Sequence, residues 1–133
     1  MQTARYVRLY TDQFGETHFE GIEVPLSPQD FTDEAVPLQI AQFMPVSSSF
    51  CLSGPGDWSG DVSGPTSRRL ILCTVEGEYQ MTVSDGEVCC FPAGSVLFLD
   101  NTTGKGHLTS INNKRGVLVF AMSIDENERR KAH

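Results

Sequence analysis

Positive charge is scarce in this sequence. Its 133 residues include 10 Lys and Arg against 17 Asp and Glu, which gives a formal net charge of −7. Non-specific binding of nucleic acid depends on basic patches, so this balance argues against a nucleic-acid partner. The sequence also lacks any run of about 18 apolar residues, and we therefore expect no membrane-spanning segment and no membrane partner.

Two further absences concern location and cysteine chemistry. The N-terminus has no apolar signal core, so secretion is not expected. The four cysteines, Cys51, Cys73, Cys89 and Cys90, fit neither a CxxC pair nor a regular disulfide framework. We expect a cytoplasmic protein whose reduced thiols act as small core residues. The alternative is that a cysteine supplies a thiolate or a soft metal ligand.

The central third of the chain contains a series of short runs that predict β-strands. Leu70–Val75 is rich in strand formers, and Glu78–Val83 alternates polar with apolar residues at a period of two. Between them, Glu76-Gly77 predicts a tight turn. Asp85-Gly86 predicts a type I′ hairpin turn, because glycine supplies the positive φ that this turn needs. The next predicted strands are Val88–Phe91 and Ser95–Leu99.

Predicted strands also lie on both sides of this region. Arg5–Tyr10 alternates and predicts an edge strand. Pro25–Pro37 is a polar connection interrupted by proline. Residues 125–133 are a charged tail, either frayed or a short helix. The remaining predicted strands are Thr17–Val24, Leu38–Met44, Phe50–Leu52, Leu108–Asn112 and Val117–Met122.

The order of the turns resembles that of the cupin family. Gly77-Glu78 stands where cupins have a "GE" turn, Asp85-Gly86-Glu87 stands at their next hairpin, and Ala93-Gly94-Ser95-Val96 stands at their "GD-V" segment. The loop from Thr102 to His107 corresponds to the family's loop before its last His. The match covers residues 40–122, and it implies an all-β cupin jelly-roll (double-stranded β-helix) barrel in which two sheets close around a pocket.

This resemblance also implies the organisation of the chain. A length of 133 residues suits one domain with a real core, so residues 1–133 are expected to form a single cupin domain. Its barrel core is expected at about 38–122. In small cupins the N-terminal strands often pack across to a second subunit, which implies a homodimer with residues 5–24 at the interface.

The family's metal-ligand positions are occupied differently here. A cupin metal site uses two His, a Glu and a third His, of which this sequence keeps His107. The other positions carry residues that are not normal ligands: Gly64, Thr66 and Leu70, or, with one residue of slack for the His pair, Ser63 and Pro65. A mononuclear metal needs several donors converging on one point, so no metal and no cofactor are expected.

Strand parity predicts which side chains face the barrel interior. Leu70 replaces the family's inward Glu, so alternate residues on its strand and across the predicted turn share its face. The result is an apolar lining with a few polar groups, the usual form of a small-molecule site. The residues expected to face inward are Arg68, Leu70, Leu72, Thr74, Tyr79, Met81, Val83, His107, Thr109 and Ile111.

His107 and Tyr79 are the candidate catalytic residues. His107 has a side chain suited to acid–base work near neutral pH, or it is a remnant of a metal site held by a backbone carbonyl. Tyr79 would hydrogen-bond a substrate oxygen, or it is a core residue. Arg68 would clamp a carboxylate or enolate, or it is a solvated rim residue. Trp58 would cover the pocket mouth, or it packs on the barrel edge. The candidate substrate-binding residues are Arg68, Leu70, Leu72, Thr74, Met81, Thr109 and Trp58.

The functional expectation is a cupin-like protein that binds a small, largely apolar organic molecule. We expect it to act as a metal-independent isomerase, cyclase or lyase that positions its substrate and assists proton movement. Two alternatives stay open. One is a non-catalytic binding or sensor protein with the same pocket. The other is a metal-dependent enzyme with an atypical site, formed by His107 and a ligand such as His18 or a cysteine.

Overall fold

A computed structural model describes residues 3–29, 38–60 and 64–126, and the elements of these residues are β-strands. The all-β prediction is therefore confirmed. The strands are β1 Thr3–Thr11, β2 Thr17–Pro25, β3 Ser27–Gln29, β4 Leu38–Ile40, β5 Val46–Gly54, β6 Trp58–Ser59, β7 Leu70–Val83, β8 Val88–Pro92, β9 Val96–Asp100, β10 His107–Ile111 and β11 Val117–Ile124.

The long strand β7 is shared by two sheets. Its first half pairs with β9 on one side and with β11 on the other. Its second half pairs with β8 and β10. The first sheet thus has the order β2-β1-β9-β7-β11-β5, and the second has the order β8-β7-β10-β6. The inner faces of the two sheets enclose the core, in the manner predicted for a jelly-roll barrel.

The expected turn at Glu76-Gly77 does not form, because β7 is one continuous strand of 14 residues. A β-bulge lies there instead: Leu118 and Val119 are consecutive on β11 but pair with Glu76 and Thr74, so Val75 is the extra residue. A bulge switches strand parity just as a turn would. The inward-facing residues on both halves of β7 were therefore predicted correctly, although from the wrong local structure.

The hairpin between β7 and β8 forms where it was predicted, although the turn is of a different type. Gly86 has a φ of 98°, whereas Asp85 has no positive φ, and a type I′ turn needs two. The Val83 N–H donates to the Glu87 carbonyl at 3.0 Å, and the Glu87 N–H donates to Asp85 Oδ1 at 2.8 Å. The turn is therefore a three-residue loop in which glycine takes the left-handed position.

The N-terminal strands belong to the barrel itself. β1 lies between β2 and β9, and it runs parallel to β9, so the prediction of an edge strand at Arg5–Tyr10 is wrong. Leu9 is fully buried in the main core, while Tyr6 packs on the outer face against Phe43, with ring centroids 5.1 Å apart. Because β1 carries apolar residues on both faces, it fits the interior of a sheet, and the barrel core begins well before residue 38.

Other strand bounds differ from the predictions. β5 extends four residues before Phe50 and two after Leu52. The strand predicted at Leu38–Met44 is reduced to β4, which pairs with β3 in a separate two-stranded sheet. Residues 30–37 of the predicted connection and 127–133 of the predicted tail lie outside the described residues.

The core has two layers. The inner layer lies between the sheets and includes Leu9, Leu72, Tyr79, Met81, Phe91, Leu97 and Val119. The second layer lies on the outer face of the first sheet and is centred on Ile71, Phe98 and Ile124. Within the described ranges, no helix is long and apolar enough to cross a membrane.

Candidate functional site

A cavity of about 420 Å³ opens between the two sheets. This volume lies in the range of small-molecule sites, about 300–1,000 Å³. Its wall is built from both halves of β7 and from β5, β6, β9, β10 and β11. The lining residues are Leu52, Ser53, Gly54, Pro55, Trp58, Leu70, Leu72, Tyr79, Met81, Leu99, His107, Thr109, Ile111, Val117 and Val119.

Most of the residues singled out from the sequence meet at this cavity. Thr109 lies directly opposite Met81 on the neighbouring strand, which places a hydroxyl in a mostly apolar wall. Val83 is buried in the same core but does not border the cavity. The candidate site residues that do line it are Trp58, Leu70, Leu72, Tyr79, Met81, His107 and Thr109.

Arg68 does not line the cavity, contrary to expectation. Its side chain is exposed, and its guanidinium carbon lies 5.7 Å from the centroid of the Phe50 ring. β7 begins at Leu70, and the residues before it bend, so the strand parity that relates Leu70 to Leu72 does not extend back to Arg68. No clamp for a carboxylate is formed in this conformation.

Thr74 is buried, but it also lies outside the cavity wall. Its hydroxyl donates to the Phe91 carbonyl at 3.3 Å and lies 3.3 Å from Ser95 Oγ. It sits beside the β7 bulge, where its backbone pairs with Val119. Its polar group is thus used within the protein.

Trp58 is a partly exposed residue of the cavity wall. It lies on the short strand β6, opposite Ile111, and 44% of it is exposed. Trp58 thus lines the cavity from a strand at the end of the second sheet, and its role as a cover stays a prediction. As the chain's single tryptophan, it is a natural fluorescent reporter for this site.

His107 is fixed at the start of β10 by its backbone and by its ring. Its N–H and C=O both bond to Gly64, at 3.1 and 3.3 Å. Gly106, with a φ of 79°, leaves no room for a side chain because Gly64 lies against it. The ring Nδ1 lies 2.8 Å from Asn101 Nδ2. Burial lowers the pKa of His107, so the imidazole is neutral near pH 7.

Sequence reasoning missed Asn101, which holds the His107 ring. Asn101 is fully buried at the end of β9, and its backbone carbonyl accepts a hydrogen bond from Thr66 at 3.0 Å. The available signal was an asparagine between a predicted strand and His107. Nothing in the sequence fixed the path by which the loop returns to place the two side chains together.

Tyr79 contributes its ring to the cavity. The ring stacks on Phe91, with centroids 5.0 Å apart, and 4% of the residue is exposed. Burial raises the pKa of Tyr79, so the phenol stays neutral, while the nearby Thr74 side chain acts in the opposite direction. Among the described residues, the buried hydroxyl of Tyr79 has no hydrogen-bond partner.

The two catalytic candidates stand apart along the strands. His107 pairs with Val83, so Tyr79 lies four residues further along β7. This corresponds to about 13 Å between backbone positions. His107 and Tyr79 thus lie at separate points along the cavity wall.

The cavity carries no formal charge. Within the part of the chain that the structure describes, its wall contains no Lys, Arg, Asp or Glu. His107 is neutral near pH 7, and Tyr79 is held in its neutral form. A charged ligand would lose its hydration here without gaining a counter-charge. The site therefore suits an uncharged molecule.

Two sheets share β7 and enclose a cavity, as the turn order of the sequence implied. The fold is cupin-like. No family model matches the chain, and no curated protein matches it significantly. A solved structure, the cupin domain of Cnp3 from Schizosaccharomyces pombe, is similar with a TM-score of 0.49 and 14% identity, over 86% of this chain and 78% of that one. At this similarity, nothing about that domain's function transfers.

The residues at the cupin ligand positions do not fit a metal. Gly64 lies opposite His107, where a ligand side chain would have open space, but glycine has none. Leu70 supplies only hydrocarbon to the wall. His107 Nδ1 is hydrogen-bonded to Asn101, so Nε2 is the one nitrogen of this ring that is not already engaged by a described residue. Among the described residues, no group of three His, Cys, Asp or Glu side chains could hold a metal ion.

The alternative ligands also lie elsewhere. His18 stands between two carboxylates, with Nε2 2.7 Å from Asp12 Oδ2 and Nδ1 2.8 Å from Asp85 Oδ2, and it does not border the cavity. The four cysteines are free and do not line it either. Burial raises the pKa of Cys73 and Cys89, which lowers their thiolate character.

Proposed function

We propose that this protein binds a small, uncharged and largely apolar organic molecule in the cavity between its two sheets. The observation that carries the proposal is the wall itself: aliphatic side chains surround about 420 Å³ of space, with a few hydroxyls, one neutral imidazole and no charged group among the described residues. Apolar walls with a few placed polar groups are typical of sites that bind organic ligands.

We also propose that the bound molecule reacts without a metal, in an isomerisation, cyclisation or elimination. The specific support is His107, whose neutral ring is held at the cavity wall by a fully buried asparagine. Such a group assists proton movement or polarises a substrate, and the enclosing wall positions the reacting atoms. The second candidate function is a carrier or sensor with the same cavity and no chemistry.

A homodimer in the cytoplasm is the assembly and location that we propose. β2 pairs with β1 alone among the described strands, so its other edge is available to a second subunit. Analytical ultracentrifugation of the full chain would test this assembly. A monomer at micromolar concentration would contradict it.

The binding proposal is tested with a matched pair of charge insertions. Leu52 borders the cavity and is 44% exposed, whereas Val88 is 52% exposed on the outside of β8. A panel of neutral apolar compounds is screened by thermal shift and by Trp58 fluorescence. We expect Leu52→Glu to abolish the response to the hits and Val88→Glu to retain it. Equal responses in both variants would place the binding elsewhere.

The catalytic part is tested on the hits from that screen. Each hit is incubated with the native protein and with His107→Ala, and the products are analysed by mass spectrometry and NMR. Turnover that is lost in His107→Ala supports the enzyme. Unchanged compound in both samples, with affinity reduced modestly at most, supports the carrier.

A further inference from the structure

The contact between Asn101 and His107 has a direction. Asn101 is fully buried, and its Nδ2 lies 2.8 Å from His107 Nδ1. An amide NH₂ group donates hydrogen bonds and cannot accept them, so Nδ1 must be the acceptor. A neutral imidazole carries one ring proton, which then resides on Nε2.

The opposite orientation of the amide is less favourable. As placed, the Asn101 side chain leaves one buried atom, Oδ1, without a hydrogen-bond partner. Rotating the amide would bury the NH₂ group, which carries two hydrogens, at the position of that unpartnered oxygen. Buried N–H groups without a partner are rarer in folded proteins than under-satisfied carbonyls. The placed orientation is therefore favoured.

The other nitrogen of His107 is available to a ligand. His107 lines the cavity, and its Nε2 has no hydrogen-bond partner among the residues that the structure describes. Since Nδ1 is occupied by Asn101, Nε2 is the nitrogen through which the ring can act on a bound molecule.

We propose that Asn101 is a positioning residue that holds His107 as the neutral Nε2–H tautomer, so that the cavity presents a hydrogen-bond donor to an uncharged ligand with an acceptor oxygen, such as a carbonyl. The tautomer is a property of the protein alone. The ligand class rests on the proposed function of the cavity. In this state His107 polarises a carbonyl and does not remove a proton from the ligand.

The tautomer is measured by long-range ¹H–¹⁵N NMR of the free protein. The chain has three histidines, and His107→Gln identifies the His107 signals. We expect its Nε2 to carry the proton. In Asn101→Asp the carboxylate accepts from Nδ1, so the proton should move to Nδ1 or the ring should become doubly protonated. His18 serves as an internal control, and its signals should not change. A native Nδ1–H tautomer, or no response to Asn101→Asp, would overturn the assignment.

The ligand class is measured with the matched probes α-tetralone and tetralin, which differ in a single carbonyl. One hydrogen bond is worth about 1 kcal/mol, so we expect about fivefold tighter binding of the ketone. That preference should disappear in His107→Leu. Equal binding of both probes would overturn the acceptor assignment. Binding of neither probe, with the Nε2–H signature intact, would count against the proposed function and leave the role of Asn101 standing.

Discussion

The carbonyl oxygen of Gly116 occupies the space that a Cβ at Gly77 would need. Gly77 has a φ of 73° and pairs with Val117 across the β7–β11 ladder. This close backbone approach accompanies the bulge through which β7 passes from one sheet to the other. Leu72 before it and Tyr79 after it both reach the cavity as a result.

Gly77→Ala should destabilise the protein more than Gly86→Ala. Both glycines have positive φ, but a Cβ at Gly86 meets nothing, whereas one at Gly77 collides with backbone. We expect a loss of about 1 kcal/mol in the free energy of unfolding for Gly86→Ala and about 3 kcal/mol for Gly77→Ala. Urea denaturation of the two variants gives the comparison. Equal losses would mean that the Gly116 contact is not restrictive.

The ion pairs of His18 should make stability depend on pH. Its hydrogen bond to Asp12 first, and then that to Asp85, raise the pKa of His18 above the ordinary value of about 6.5. The stabilisation is therefore fully present below about pH 6.5 and is lost as the pH rises through the folded-state pKa. We expect the stability advantage of the native protein over His18→Gln to shrink from pH 6 to pH 8. If the stability advantage of the native protein grew over this range, the ion pairs of His18 with Asp12 and Asp85 would not be stabilising.

The contribution of His107 to stability should depend on pH in the opposite direction to that of His18. Burial lowers the pKa of His107, so the folded protein favours its neutral form. The contribution of this neutral imidazole to the free energy of unfolding is fully present above about pH 6.5. It is lost as the pH falls through the folded-state pKa. Histidine NMR titration should show His107 with a midpoint below that value and His18 with one above it. The same midpoint for both residues would contradict the two environments described for them.

Asp100 should be the most sensitive charged residue on the outer face of the first sheet. Arg8 Nε and Nη2 donate to its Oδ2 at 3.0 and 2.8 Å, and Arg69 Nε lies 2.9 Å from Oδ1. The Asp100 side chain is 5% exposed. Asp100→Asn would leave two arginines without their shared carboxylate, at a cost of about 2–4 kcal/mol in the free energy of unfolding.

The matched control is the exposed ion pair Arg5–Glu23, in which the side chains are 76% and 59% exposed. Glu23→Gln should cost less than about 1 kcal/mol in the free energy of unfolding, because solvent screens such a pair. Thermal or urea denaturation of both variants makes the comparison. Similar losses would show that the burial of Asp100 is not what makes it important.

The alternation of apolar residues predicted much of the cavity wall. Leu70, Leu72, Met81 and Thr109 were placed correctly because side chains on a regular strand alternate between its faces. That rule failed at Arg68, which precedes the strand. It was not applied to Leu52, Val117 and Val119, whose place in the wall depends on where β5 and β11 lie beside β7.

Two features were decided by tertiary structure alone. Glu76-Gly77 is locally compatible with a turn or with a bulge, and the pairing of β7 with β11 selects the bulge. Likewise, Asn101 and His107 are six residues apart, and their contact depends on Gly106 packing against Gly64. The sequence by itself determined most of the strands, the main hairpin and the apolar interior, because periodicity and turn chemistry are local. Long-range backbone packing decided the sheet order and the orientation of the histidine, since those contacts join segments that have no local signal for one another.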